Sequence, residues 1–182
     1  MSTADDQLPD RDRDRDATGR PSTPPDRDRD ATGRPSNARA RDALGRPLPR
    51  GAEGVSPHID SDLTLDEALT VAQHLLDDGL PFHAHEVLEQ CWKAAPDNDR
   101  TLWQGLAQLA VGLTHALRGN RAGAVTVLQR GRDNIASHHG DPPRGIDVPG
   151  LVGWADALID QLLTESPGDA VPAARTVPRL RR

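Results

Sequence analysis

The chain has 182 residues, 27% of them charged, with 16 Gly, 16 Pro and few rings: three Trp, one Phe and no Tyr. A single core running through the whole chain would carry more aromatic residues, so either the core is aliphatic or part of the chain has none. The formal net charge of −6 divides into zero over residues 1–57, −8 over 58–164 and +2 over 165–182, and a body at −8 repels phosphate backbones, which argues against a nucleic-acid platform.

Residues 1–57 contain no Phe, Trp or Ile, and their large aliphatic residues are Leu8, Leu44, Leu48 and Val55. The stretch repeats itself. DRDRDATGRPS stands at Asp12–Ser22 and again at Asp26–Ser36, and a shorter copy, RDALGRP, spans Arg41–Pro47. Alternating Asp and Arg cancel locally, and so little apolar area cannot offset roughly 1–2 kcal/mol of backbone entropy per residue. Residues 1–57 are therefore expected to be a disordered arm. Within it, Leu44, Pro47, Leu48 and Pro49 of Arg41–Arg50 can present an extended apolar strip, the pattern of a short docking motif.

Helical patterns follow. Thr64 to Glu67 reads as a capping box, and Leu65, Ala68, Leu69, Ala72, Leu75 and Leu76 form one face. Gly79 ends this helix and Pro81 suits the first turn of the next. The second helix is expected over 81–95, the third over 98–118, the fourth over 121–138 and the fifth over 148–164. Asn120 is placed to cap the fourth. No run reads as a strand. Residues 58–165 are thus expected to form an all-α domain, a single antiparallel bundle of about five helices, with 166–182 as a flexible basic tail. The charge-free run Thr101–Leu117 spans roughly 26 Å as a helix. It carries Gln104, Gln108, Thr114 and His115, so it reads as a buried helix and no membrane span is expected. One cysteine, Cys91, excludes an intrachain disulfide and a cysteine-based zinc cluster. With no readable secretory signal, a cytoplasmic protein is expected.

Two stripes carry the chemistry. On the third helix Gln104, Gln108 and His115 lie within about 40° of one another, with Gly105 and Gly112 on the flank. Each of those glycines costs about 1 kcal/mol against Ala, which points to close approach of a helix or a ligand. On the second helix, Phe82, His85, Glu86, Glu89 and Trp92 form a stripe apart from the apolar face of Ala84, Val87, Leu88, Cys91 and Ala95. If the two helices pair as a hairpin, the stripes can face each other. Three readings of such a constellation compete. It is a satisfied buried network that fixes helix register, a pocket that orients a small molecule or peptide, or a divalent-metal site. In the metal reading His85, Glu89 and His115 are the ligands and Glu86 is a ligand or base. The four-helix carboxylate pattern is absent, and no His stands at position 89 to complete the zinc-protease spacing. No phosphate loop, nucleophile elbow or Ser/His/Asp order is present.

Phe82-His-Ala-His85-Glu86-Val-Leu-Glu89-Gln-Cys-Trp92, Trp103-Gln104-Gly105-Leu106-Ala-Gln108, His115 and Gly119-Asn120-Arg-Ala-Gly123-Ala124 together resemble the domain of unknown function 309 family. The resemblance covers about Leu80–Arg130. Arg41–Val55 and Gly145–Val148 look like its actinobacterial branch. It implies a small helical bundle and no particular reaction. A looser similarity to tetratricopeptide-type hairpins is architectural only. The function expected is a non-catalytic cytosolic module that binds a protein partner or small ligand. The alternative is a metal-dependent hydrolase using His85, Glu89, His115 and Glu86. A homodimer pairing across the polar stripe is a further reading.

Overall fold

The first helix begins at the capping box. Thr64 accepts from the Glu67 amide, and Glu67 Oε2 accepts from the Thr64 amide at 2.9 Å and from its hydroxyl at 2.7 Å. These bonds hold the Glu67 carboxyl below its ordinary range. The computed structural model describes residues 39–60, 62–140, 142–164 and 177–182. Its helices are α1 (Leu65–Asp77), α2 (Pro81–Ala94), α3 (Asp97–Leu117), α4 (Arg121–Ala136) and α5 (Val148–Thr164), with a 3-10 turn at Pro143–Gly145. The starts and stops follow local chemistry. Gly79 takes φ +74° after α1 and Pro81 opens α2. Asn120 Oδ1 accepts from the Gly123 amide at 3.1 Å to cap α4. Among the described residues there is no strand, only isolated bridges at Arg41–Pro47 and Ile146–Arg181.

Each helix packs on the next in chain order, and α3 with α4 shares the largest interface. The short connections make neighbours antiparallel. The core is aliphatic: Leu69 and Leu76 of α1, Leu88 of α2, Leu102 and Leu106 of α3, Leu128 and Ile135 of α4 and Leu151 of α5 are fully buried. Trp103 is the one fully buried ring among the described residues. Glycine decides how closely α3 and α4 meet. A Cβ on Gly105 would lie 2.9 Å from the Gly131 carbonyl oxygen, and one on Gly131 would lie 3.0 Å from the Gly105 carbonyl oxygen. A Cβ on Gly112 would lie 2.6 Å from Leu128 Cγ. The small residues on the third helix thus serve a helix contact, and the partner is α4.

The chain ends depart from expectation where they are described. Residues 1–38 and 165–176 lie outside the described residues, including the first two repeat copies and most of the basic tail. Residues 39–57 of the expected arm are described. Ala40–Val55 makes its own turns, with Leu48 N–H donating to Ala40 O and Val55 N–H to Arg41 O, both at 2.8 Å. At the other end, Leu180 is buried. The Gln73 side chain pins this segment, accepting from the Leu180 amide at 2.8 Å and donating to Pro178 O at 3.1 Å. Three tail arginines pair with acids: Arg179 with Asp77, Arg181 with Asp66 and Arg182 with Asp147. Arg182 holds the Asp147 carboxyl below its ordinary range. Exposed pairs of this kind contribute about 0–1 kcal/mol each; burial of Leu180, about 1.5–3 kcal/mol, is the larger anchor. Composition missed these contacts because a few well-placed bonds to the bundle replace the core that the segments lack.

Candidate functional site

The expected constellation on the facing stripes of α2 and α3 does not assemble. Its members find partners locally or on other helices. On α2, His85 Nδ1 donates to Phe82 O at 2.9 Å, and Glu89 pairs with Lys93 one turn on at 3.3 Å. Glu86 accepts from His83 Nδ1 at 3.1 Å. Trp92 packs on the edge of the core. On α3, Gln108 Oε1 accepts from Asn134 Nδ2 of α4 at 2.8 Å. His115 Nδ1 lies 3.1 Å from Asn120 Nδ2. Gln104 is half-buried and makes no side-chain hydrogen bond among the described residues. His85, Glu89 and His115 therefore do not converge as ligands, and Glu86 is turned to His83. Among the described residues no three His, Cys, Asp or Glu side chains form a group that could hold a metal ion. The physical reason is the glycine face of α3. It turns Gln108 toward α4, and on α2 His83 pairs with Glu86 and Glu89 with Lys93, three and four residues apart.

A different site gathers at one end of the α2–α3 hairpin, around Phe82. The folded segment Arg41–Pro47 lies on it. Asp42 shapes that segment: its Oδ1 accepts from the amides of Leu44 at 3.0 Å and Arg46 at 2.7 Å. Asp42 O accepts from the Gly45 amide at 2.8 Å. Gly45 takes φ +75° and is buried against the Phe82 ring so closely that a Cβ would overlap the ring atoms. Only glycine meets both conditions. Arg41 sits over the same ring, its guanidinium carbon 5.4 Å from the centroid, and Nη1 donates to Gly45 O at 2.8 Å.

The bundle answers with Arg118, the C-cap residue of α3. Its guanidinium carbon lies 5.9 Å from the Phe82 centroid. Nε donates to Leu44 O at 2.8 Å, and Nη2 donates to the same oxygen. Arg46 Nη2 in turn reaches Arg118 O at 3.5 Å, placing a cation at the negative end of α3. Cation–π contacts contribute about 0.5–2 kcal/mol each, and hydrogen bonds to a charged group about 1.5–3 kcal/mol. The clasp is thus specific at Phe82, Gly45, Arg41 and Arg118.

The Phe82 ring also touches His83 edge-on and His85 at a tilt, each with centroids 5.4 Å apart. His83 is 6% exposed, and its Nε2 has no hydrogen-bond partner among the described residues. His115, one turn before Arg118, has its pKa lowered by burial and then by the Arg118 charge. In the folded chain its neutral form is favoured. Between the unfolded value near 6.5 and the lower folded value the unfolded state holds more protons, so this contribution is present above about pH 6.5 and lost as pH falls. A proton titration followed by NMR is expected to place the His115 midpoint below 6.5, and Arg118→Ala is expected to raise it.

Phe82, His85 and His115 are among the residues that the sequence singles out. Arg118, Gly45 and His83 are not. Arg118 is the first charge after the charge-free run of α3, and Gly45 sits in the third repeat copy; those were the available signals. Cys91, by contrast, is a core residue. Burial pushes its thiol up to about 11 from 9.0. At pH 8 it is expected to alkylate about a hundredfold more slowly in the folded chain than in denaturant, since the thiolate is the reactive form.

No described helix is long and apolar enough to cross a membrane. No solved structure matches the chain. An uncharacterised protein of Bacillus subtilis (strain 168), YpuF, is 36% identical over 87 residues, which is 47% of this chain and 50% of that protein. The chain thus spans about half the length of the curated relative it matches. The family model described as Domain of unknown function (DUF309) matches residues 69–127, from α1 into α4. The motif run that sets out the α2–α3 hairpin and the Phe82–Arg118 end therefore lies in the stretch that is similar to the DUF309 family.

Proposed function

We propose that this chain is a non-catalytic helical binding module of the cytoplasm, whose recognition site is the Phe82–Arg118 end of the α2–α3 hairpin. The site takes a turn-forming peptide segment. The observation that carries this reading is the clasp itself. A short segment with no core of its own meets the Phe82 ring through its own Arg41 and through Gly45, which tolerates no side chain, and Arg118 of the bundle holds its backbone. Such features recognise a particular backbone turn, as peptide-binding sites do. Charge supports it: Arg41–Arg50 carries three Arg and one Asp and lies on a bundle of opposite sign. The polar groups first expected to orient a ligand from a buried network contribute through His85 and His115, which flank this end.

The test uses the full chain with its own segment undocked by Gly45→Val. A synthetic peptide of residues 40–50 is expected to bind that variant, shifting the NMR signals of Phe82, His85 and Arg118. Adding Phe82→Ala to the variant is expected to abolish the response. Peptide binding that ignores Phe82 would contradict the reading.

A further inference from the structure

The docked turn is the third copy of a repeat. Arg15–Pro21 and Arg29–Pro35 both read RDATGRP, and Arg41–Pro47 reads RDALGRP. The copies differ at one position, where Leu44 is replaced by Thr18 or Thr32. At that position the bundle grips the main chain, because Arg118 donates to the Leu44 carbonyl. Threonine supplies the same carbonyl. Every side chain on which the clasp depends has its counterpart in both upstream copies. The arginine over the ring corresponds to Arg15 and Arg29, the turn-forming Asp42 to Asp16 and Asp30, and Gly45 to Gly19 and Gly33.

We propose that the upstream copies are ligands for the Phe82–Arg118 site of a second molecule of this chain. The inference rests on the reading of that site as a peptide-binding site. Each chain carries three versions of the ligand and one site. Its own third copy, tethered 17 residues before α1, fills that site at high effective concentration. Two copies per chain are then surplus, and the sites they fit are those of other molecules. Each heptad holds two Arg and one Asp, and the Asp just before each upstream copy, Asp14 and Asp28, offsets that surplus. The upstream copies are also weaker ligands. The third copy continues as Leu48-Pro49, with Leu48 bonded back to Ala40 and Val55 to Arg41. The upstream copies continue as Ser22-Thr23 and Ser36-Asn37. Exchange therefore favours the closed single molecule and yields head-to-tail association when the third copy is lost.

The experiment compares full chains in solution by mass measurement over a range of concentrations. Wild type is expected to be monomeric. Gly45→Val is expected to associate as concentration rises, and a heptapeptide RDATGRP is expected to dissociate it. Gly19→Val and Gly33→Val, added to Gly45→Val, are expected to return the chain to a monomer. If Gly45→Val fails to fold by circular dichroism, Asp42→Ala, which removes the acceptor that shapes the turn, replaces it. A second arm titrates the variant with heptapeptides RDALGRP and RDATGRP. Binding of the first without the second overturns this inference and leaves the peptide-binding reading standing. Failure of both overturns that reading as well. Binding of RDATGRP to a variant that stays monomeric at every concentration overturns the second molecule as the source.

Discussion

Replacing Trp103 by alanine is expected to lower the unfolding free energy by about 3–5 kcal/mol, the cost of emptying a fully buried large ring. Trp103 is 0% exposed and lies where α3 meets the rest of the core. Its Nε1 has no hydrogen-bond partner among the described residues. A buried N–H without a partner costs about 1–3 kcal/mol, so part of what the ring contributes by packing is offset by its own polar atom. Trp103→Phe removes that atom and leaves a smaller gap. It is expected to cost under about 1.5 kcal/mol. Chemical denaturation of both variants checks this. A phenylalanine variant as unstable as the alanine variant would show that the indole N–H has a partner and that its bond matters.

The second large effect concerns the α3–α4 contact. Gly105→Ala adds a methyl group that meets Ile135 Cγ2 at 2.6 Å and the Gly131 carbonyl oxygen at 2.9 Å. The side chain can shift, but the carbonyl belongs to the backbone of α4. Overpacking of this kind costs about 1–3 kcal/mol, more than the roughly 1 kcal/mol of helix propensity gained. The net effect is expected to be destabilising. Gly153 in α5 is the control, since a Cβ there meets nothing within 4 Å. Gly153→Ala is expected to raise stability by about 0.5–1 kcal/mol. Equal and favourable melting shifts for the two variants would contradict the close helix contact.

The same contrast explains what the sequence revealed. Periodicity and caps are local, and they placed α1 to α5 within two residues at each end: α3 was expected over 98–118 and spans Asp97–Leu117. The partner of a polar stripe is not local. Gln104, Gln108 and His115 share a face, and nothing in their spacing says which neighbour receives it. The glycines beside them held that information. Gly105 and Gly112 let α4 approach, so Gln108 bonds to Asn134 and the stripe of α2 is left to pair within itself. The docked part of the arm is illegible for another reason. A composition argument measures the apolar area that a segment buries against itself, and Arg41–Pro47 buries almost none. It is held by Phe82 and Arg118, which lie in other elements. The repeat was visible, but only the contact of its glycine with Phe82 gives the repeated residues a purpose. Much of the family signature then serves packing and geometry: Trp103 and Leu106 fill the core, Gly105 sets the helix distance and Asn120 caps α4. Phe82, His85 and His115 are the signature residues left around the site.

Amide hydrogen exchange in the full chain reads out the clasp itself. The amides of Gly45, Arg46, Leu48 and Val55 each donate to an acceptor within the docked segment. They are expected to exchange slowly in the wild type and at unstructured rates in Gly45→Val, while the helical amides of α3 are unchanged. Unstructured rates at those four positions in the wild type would contradict the clasp.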